Sequence, residues 1–64
     1  MSEIMIKRLK ESEGKRIKIF LHNDFKFEGK CLNSDEKYLE LLDYKTNKIM
    51  IKEITEIKEL EVTE

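Results

Sequence analysis

Residues 14–43 alternate between apolar and polar side chains, and this pattern constrains the fold of the chain more than any other feature. Ile17, Ile19 and Leu21 occupy every second position, and the positions between and beside them hold Arg16, Lys18 and His22. A period of two buries one face of a β-strand and leaves the other face to solvent. Phe20 is the one break in the alternation. The segment predicts a half-buried first strand.

A second strand follows after His22-Asn23-Asp24, a segment whose Asn and Asp residues favour a tight turn. Phe25, Phe27, Gly29 and Cys31 then share one face. A glycine within a strand marks a bend or a close approach of the backbone. We therefore predict a hairpin whose second strand bends at Gly29, as a sheet must do when it curls into a barrel.

The N-terminal segment predicts a short helix. Ser2 can cap it, Met5, Ile6 and Leu9 lie near one face, and Gly14 is a plausible stop. We expect this helix to cover one open end of the barrel.

The remaining elements are short and closely spaced. Turns are predicted at 33–36 and 45–48, strands at 38–44, 49–53 and 57–62, and a frayed tail at 63–64. Asp35, in the first of these turns, can accept backbone N–H groups. The predicted fold is mainly β: a short N-terminal helix and a five-stranded, strongly bent antiparallel small barrel, in a single domain over residues 1–64.

Composition limits the partners of this domain. A chain of 64 residues buries only about 60% of its unfolded surface, so we expect it to gain stability by self-association. Thirteen Lys and Arg nearly cancel 14 Asp and Glu, for a net charge of −1. The chain therefore has no excess of basic residues that would indicate a nucleic-acid partner, although an assembly can still concentrate lysines on one face. No apolar run approaches the roughly 20 residues of a membrane span, so no membrane partner is predicted.

The chain shows no catalytic or metal-binding pattern. His22 is the only histidine and lies in a predicted turn, and Cys31 is the only cysteine and lies on the predicted apolar face. Burial makes such a thiol a small hydrophobe with a raised pKa. A single cysteine also fits a reducing, cytoplasmic compartment. We predict a non-enzymatic protein with no cofactor, no metal and no small-molecule substrate.

The segment from Gly29 to Asp35, followed by the apolar strand 38–42, resembles the first signature of Sm and Sm-like (LSm, Hfq-type) proteins. That signature has a glycine, apolar residues, an aspartate six places after the glycine, and a second apolar strand. The resemblance implies the barrel described above and a ring of subunits that binds uridine-rich RNA.

The resemblance also implies roles for individual residues. In Sm-like rings one residue stacks on uracil, one reads its edge and an arginine covers the other side, and these positions fall on Lys37, Leu39 and Lys52. Lysine has no flat face and leucine has no hydrogen-bonding group, so the pocket is degraded. Tyr38 could stack instead of Lys37, or lie beside Tyr44 on a face of the barrel. Lysines near the turns, including Lys45 and Lys48, could contact phosphates through charge alone.

Strand four is apolar on both of its faces, at Ile49, Met50 and Ile51. An exposed apolar edge strand is a template for pairing. The resemblance implies that it pairs with strand five of a neighbouring subunit, for which the predicted edge residues are Ile57, Leu60 and Val62. We predict a closed, head-to-tail cyclic homo-oligomer.

The sequence therefore predicts an Sm-like RNA-binding protein that forms a homo-oligomeric ring, with Lys37, Tyr38 and Lys52 as RNA contacts. The alternative is an Sm-like or SH3-like barrel that acts as a protein-interaction or scaffolding module without binding RNA.

Overall fold

A nine-residue strand with a glycine near its centre organises the sheet. The computed structural model describes residues 3–63, in which β2 (Lys26–Ser34) pairs with β1 (Arg16–Leu21) along its first half and with β3 (Tyr38–Asp43) along its second half. Gly29 lies where the two pairings overlap, and an added Cβ there would lie 2.0 Å from the Leu42 carbonyl oxygen. The predicted close approach of the backbone at Gly29 is confirmed.

Two further strands complete an antiparallel sheet. β4 (Lys48–Glu53) pairs with β3, and β5 (Ile57–Val62) pairs with β1, so the strand order is β4-β3-β2-β1-β5. A single-turn 3-10 helix (Ile54–Glu56) connects β4 to β5. Within residues 3–63 these two outer strands do not pair with each other, so the small barrel is not closed. The predicted class, one helix followed by five antiparallel strands, is confirmed.

The core lies inside the curve of the sheet. Strand β1 buries every second side chain, as predicted, because its partners on both sides place apolar residues on the same face. The buried apolar side chains are Leu9, Ile17, Ile19, Leu21, Cys31, Leu39, Leu41, Ile54, Ile57 and Leu60. Every strand except β4 contributes to this list, so β4 is the strand least integrated into the core.

Helix α1 (Glu3–Glu11) packs on the core through Leu9, which is fully buried, with Met5 and Ile6 half-buried beside it. Gly14 ends this region with a positive φ of 85°, and its N–H donates to the Cys31 carbonyl at 2.7 Å. The glycine stop is therefore confirmed, since glycine adopts positive φ without steric cost. The predicted Ser2 cap lies outside the described residues. No helix in the described part of the chain is both long and apolar enough to cross a membrane.

Three predicted boundaries differ from the structure. β2 continues through Ser34, so the following turn begins at Asp35, and β3 ends at Asp43 because the carboxylate of Asp43 organises the next turn. β4 then begins at Lys48. The prediction of a frayed tail is wrong for Thr63, whose N–H and hydroxyl both donate to the Arg16 carbonyl, at 3.0 and 3.2 Å. Glu64 lies outside the described residues.

Candidate functional site

The turn between β2 and β3 presents two of the predicted RNA-binding residues. The Asp35 carboxylate accepts hydrogen bonds from the backbone N–H groups of Lys37 at 2.8 Å and Tyr38 at 2.7 Å. These two bonds lower the pKa of Asp35 from its ordinary value. The predicted structural role of Asp35 is confirmed. The turn holds Lys37 and Tyr38 side by side with both side chains exposed.

The cavities beside this turn are rich in carboxylates. A cavity of about 460 Å³ lies against Tyr38 and Ile51 and is also lined by Asp35 and Glu40. A second one, of about 260 Å³, is lined by residues 35–38, which contain two acidic side chains and one lysine. Negative charge repels a phosphate backbone. The carboxylates around Lys37 and Tyr38 therefore oppose the attraction that the Lys37 side chain exerts on an RNA backbone.

Lys52 lies apart from the other two predicted RNA contacts. It faces Leu39 across the β3–β4 ladder, on the inner side of the sheet, and its Nζ lies 5.3 Å from the centre of the Phe27 ring. Neither cavity beside Tyr38 is lined by Lys52. Leu39, at the predicted edge-reading position, is fully buried in the core. The structure thus brings Lys37 and Tyr38 together and directs Lys52 towards the barrel interior.

The open edge of β4 carries exposed backbone and exposed apolar side chains on the same residues. The Ile54 N–H donates to the Lys37 carbonyl at 2.8 Å. Bonded and non-bonded pairs alternate along an antiparallel ladder, so the even-numbered residues of β4 bond to β3. The backbone groups of Ile49, Ile51 and Glu53 consequently point to the open edge.

The side chains of β4 divide between two environments. Ile49 and Ile51 are 60% and 63% exposed on the outer face, whereas Met50 is half-buried and packs on the core. Exposed isoleucines on an unpaired strand form an apolar edge that can pair with another chain. The two isoleucines, and not Met50, are therefore the side chains that this edge offers to a partner.

The open edge of β5 offers mainly backbone. The Thr63 N–H bonds to Arg16, so by the same alternation the backbone groups of Leu60 and Val62 point away from β1. Of the predicted interface residues on this strand, Ile57 and Leu60 bury their side chains in the core, and Val62 is partly exposed.

A side chain from the helix already contacts the β5 edge. The Arg8 Nη2 atom donates a hydrogen bond to the Leu60 carbonyl at 3.1 Å. A neighbouring strand that pairs with β5 would use this same carbonyl as an acceptor. Helix α1 therefore partly covers the β5 edge of the single chain.

A third surface lies at the opposite end of β3, and the sequence analysis assigned a ligand to only one of its residues, Lys45, as a phosphate contact. The sequence analysis placed Phe25 on the strand face shared with Phe27 and Cys31, but Phe25 lies before the first residue of β2 and is 63% exposed. Its ring lines a groove of about 580 Å³ together with Phe27 and Tyr44. The signal in the sequence is the aromatic and basic run Phe25-Lys26-Phe27, with the pair Tyr44-Lys45.

The two side chains that the sequence analysis weighed for chemistry, His22 and Cys31, lie in different surroundings. Among residues 3–63 there is no group of three His, Cys, Asp or Glu side chains placed to hold a metal ion. His22 is exposed in the turn after β1. Burial, and secondly the charge of Glu13, raises the pKa of the Cys31 thiol to about 11, although Lys10 acts in the opposite direction. The predicted core position of Cys31 is confirmed.

Comparison with known proteins supports the fold. The chain superposes on a chain of a solved structure described as "Structural basis of the Dcp1:Dcp2 mRNA decapping complex activation by Edc3 and Scd6", with a TM-score of 0.71 and 24% sequence identity. The match covers 81% of this chain and 55% of the other chain, so this protein corresponds to about half of the length of its structural neighbour. At this identity the likeness shows a shared fold.

No protein-family model matches the sequence, and no curated protein matches it. The Sm-like resemblance of the Gly29–Asp35 segment therefore rests on its own residues and on the observed fold.

Proposed function

We propose that this chain is a non-enzymatic Sm-like binding module that assembles head to tail through its β4 and β5 edges and binds single-stranded RNA. The observation that carries the proposal is the open edge of β4, where Ile49 and Ile51 expose both their side chains and their backbone groups. Pairing of β4 with β5 of another copy would satisfy both edges. Because this contact joins two different surfaces, repetition of it closes a ring or extends a filament.

The contribution of Ile51 to such an interface can be worked out from its exposure. Full burial of an isoleucine side chain stabilises by about 1.5–3 kcal/mol. Ile51 is 63% exposed in the single chain. Its burial on assembly is therefore worth roughly 1–2 kcal/mol per interface, which corresponds to about a 5- to 30-fold change in the dissociation constant.

The test is the solution mass of the Ile51→Lys variant, measured by light scattering. The chain has a mass of 7.7 kDa, so the parent is expected at a multiple of this value and the variant is expected to shift towards it on dilution. Ile4→Lys is the matched control, because Ile4 is 72% exposed on helix α1 and belongs to neither of the two edge strands. A parent that is monomeric at high concentration, or an Ile51→Lys assembly as stable as the control, would contradict the assembly.

The RNA part of the proposal rests on the exposed pair Lys37 and Tyr38, with Lys52 as the third predicted contact. Fluorescence anisotropy of labelled oligouridine and oligoadenine, at two salt concentrations, measures it. Uridine-selective binding would show that a base pocket survives with unusual residues. Equal binding that weakens steeply with salt would show contacts to phosphates alone.

A second candidate is a protein-interaction module that binds no RNA. Two observations favour it: the carboxylates around Tyr38, and the Arg8 hydrogen bond that occupies the β5 edge. The structural neighbour comes from a protein complex of mRNA decapping, which suggests protein partners for this fold as well. A monomeric parent with no RNA affinity at low salt would favour this candidate. In both candidates we expect a cytoplasmic, non-catalytic protein.

A further inference from the structure

Aromatic rings and lysines line the groove between the start of β2 and the β3–β4 turn. We call it the aromatic groove and define it by Phe25, Lys26, Phe27, Tyr44, Lys45 and Lys18. Its volume is about 580 Å³. It lies at the end of β3 opposite to Lys37 and Tyr38, and none of these six residues belongs to β4 or β5. Because the groove residues lie outside β4 and β5, pairing of these two strands between copies would leave the groove accessible.

Backbone hydrogen bonds hold Phe25 in place while its ring lies in solvent. The Phe25 carbonyl accepts from the Leu21 N–H at 2.8 Å, and its N–H donates to the Asn23 side chain at 3.2 Å. A phenylalanine buries a large apolar area when it is packed in a core. This ring instead stays 63% exposed on an ordered turn. The turn thus presents a preorganised aromatic face.

Tyr44 is the second ordered and exposed aromatic residue of the groove. Its N–H donates to the Glu28 carbonyl at 3.1 Å, and the Arg16 guanidinium lies 4.9 Å from the centre of its ring. The ring remains 44% exposed. A cation over one face of a tyrosine is attractive and restricts the ring. Phe25 and Tyr44 therefore offer two flat surfaces along one groove.

The charges of the groove favour a polyanion. Its two carboxylates are already engaged: Glu28 pairs with Arg16 at 3.0 Å, and Asp43 accepts hydrogen bonds from the Thr46 hydroxyl and from backbone N–H groups. By contrast, no ion pair among residues 3–63 involves the side chains of the three groove lysines, Lys18, Lys26 and Lys45. Arg16 balances the charge of Glu28, so the groove sets three lysines against one remaining carboxylate, Asp43, which interacts with Lys45. The groove consequently combines flat aromatic faces with a net positive charge.

We infer that the aromatic groove binds single-stranded nucleic acid, with bases stacked on Phe25 and Tyr44 and phosphates near Lys18, Lys26 and Lys45. Proteins that bind single strands without sequence preference combine stacking rings with a positive groove in this way. The inference deepens the proposed function and rests on its RNA-binding part, but it assigns a site other than Lys37, Tyr38 and Lys52. It predicts tolerance of base identity, because every base has a π face.

The experiment is anisotropy of fluorescein-labelled ten-nucleotide oligouridine and oligoadenine with four variants of the full chain. Stacking on one ring corresponds to about a 5- to 150-fold change in affinity, so Phe25→Ala and Tyr44→Ala are each expected to weaken binding by that factor. Phe25→Trp is expected to retain affinity, whereas Phe25→Leu, which keeps apolar volume without a flat face, is expected to lose it. Thermal melts check that each variant folds, which the exposure of Phe25 leads us to expect.

Salt dependence tests the lysines. Each phosphate contact to a single strand contributes about 0.7 to the slope of log affinity against log salt. The Lys26→Ala and Lys45→Ala variants are each expected to lower the slope by about this amount. Ile4→Lys serves as a surface control that adds a positive charge elsewhere.

Each outcome separates this site from the one at Lys37 and Tyr38. Loss of affinity in Phe25→Ala, with a Lys37→Ala/Tyr38→Ala variant unchanged, supports the groove and removes the site at the β2–β3 turn. The reverse pattern overturns the groove and leaves the proposed function standing. Full affinity in Phe25→Leu would overturn base stacking on this residue. No binding of either oligonucleotide by the parent would overturn both RNA assignments, while the assembly is judged separately by solution mass.

Discussion

Replacement of Gly29 by alanine is expected to separate β2 from β3. An alanine Cβ at this position would lie 2.0 Å from the Leu42 carbonyl oxygen, and real Cβ contacts do not fall below 3.0 Å. The two strands must therefore move apart by at least 1.0 Å, the difference between these two distances. If β2 and β3 separate by that amount, the neighbouring hydrogen bond from the Tyr44 N–H to the Glu28 carbonyl lengthens from 3.1 Å to about 4.1 Å, which is beyond hydrogen-bonding distance.

The free energy lost can be placed against the stability of the whole domain. Each backbone bond contributes about 0.5–1.5 kcal/mol, and a buried group left unpaired costs about 1–3 kcal/mol. Loss of one or two bonds beside Gly29 then gives about 2–5 kcal/mol. A chain of 64 residues has a total unfolding free energy of about 3–10 kcal/mol. Gly29→Ala is therefore expected to leave a sizeable unfolded population at 25 °C.

Urea unfolding followed by circular dichroism measures this loss, with Gly14→Ala as the matched control. Gly14 has a positive φ of 85° but no atom within 4 Å of an added Cβ. Its replacement costs about 1–2 kcal/mol in the left-handed region, partly offset by about 0.4–1 kcal/mol from a restricted unfolded chain. If Gly29→Ala is no less stable than Gly14→Ala, the close approach of β2 and β3 does not limit this position.

Two further predictions concern titratable groups. The Cys31 thiol has a pKa of about 11 against an ordinary 9.0, so its thiolate fraction at pH 8 falls by about 100-fold. Iodoacetamide should therefore modify this thiol only in urea. Equal rates of modification in folded and unfolded protein would contradict its burial. The Thr46 hydroxyl, and then the backbone N–H groups of residues 45 and 46, lower the pKa of Asp43. Its ionised form therefore stabilises the fold above the unfolded pKa of about 3.9, and this stability is lost as the pH falls through the lower folded value. Asp43→Asn should flatten the acid limb of the stability curve, and an unchanged acid limb would rule out this contribution.

The strands and turns could be predicted because their signals are local. The alternation of apolar residues predicted β1, and the spacing of residues 57–62 predicted β5. Asp35 was predicted in a turn, and its carboxylate does accept hydrogen bonds from the backbone N–H groups of that turn. These patterns depend on neighbouring residues and on backbone preferences. The end of β3 and the start of β4 each lie one residue earlier than predicted. Between them the Asp43 carboxylate accepts hydrogen bonds from the backbone N–H groups of Lys45 and Thr46, which form the turn.

The candidate site was less accessible to sequence reasoning. The pairing of β3 with β4 brings the backbone of Lys52 close to that of Lys37 and Tyr38. The pleat of the strands nevertheless directs the Lys52 side chain to the inner face of the sheet and the Tyr38 side chain to the outer face. The period of two also placed Phe25 with the buried residues, although it precedes the strand and lies in the turn. Side-chain direction at the end of a strand depends on where pairing begins, and local pattern does not contain that information.

The sequence by itself determined the elements of this protein: the helix, the five strands, the buried face of β1, and the glycine at which β2 bends. The tertiary structure decided which surfaces remain for a partner. It left the edges of β4 and β5 unpaired, covered one carbonyl of β5 with Arg8, and brought Phe25 and Tyr44, which are 19 positions apart in the chain, to one groove. The physical reason is that an element forms from contacts near in sequence, whereas an edge or a groove exists only once distant strands have paired.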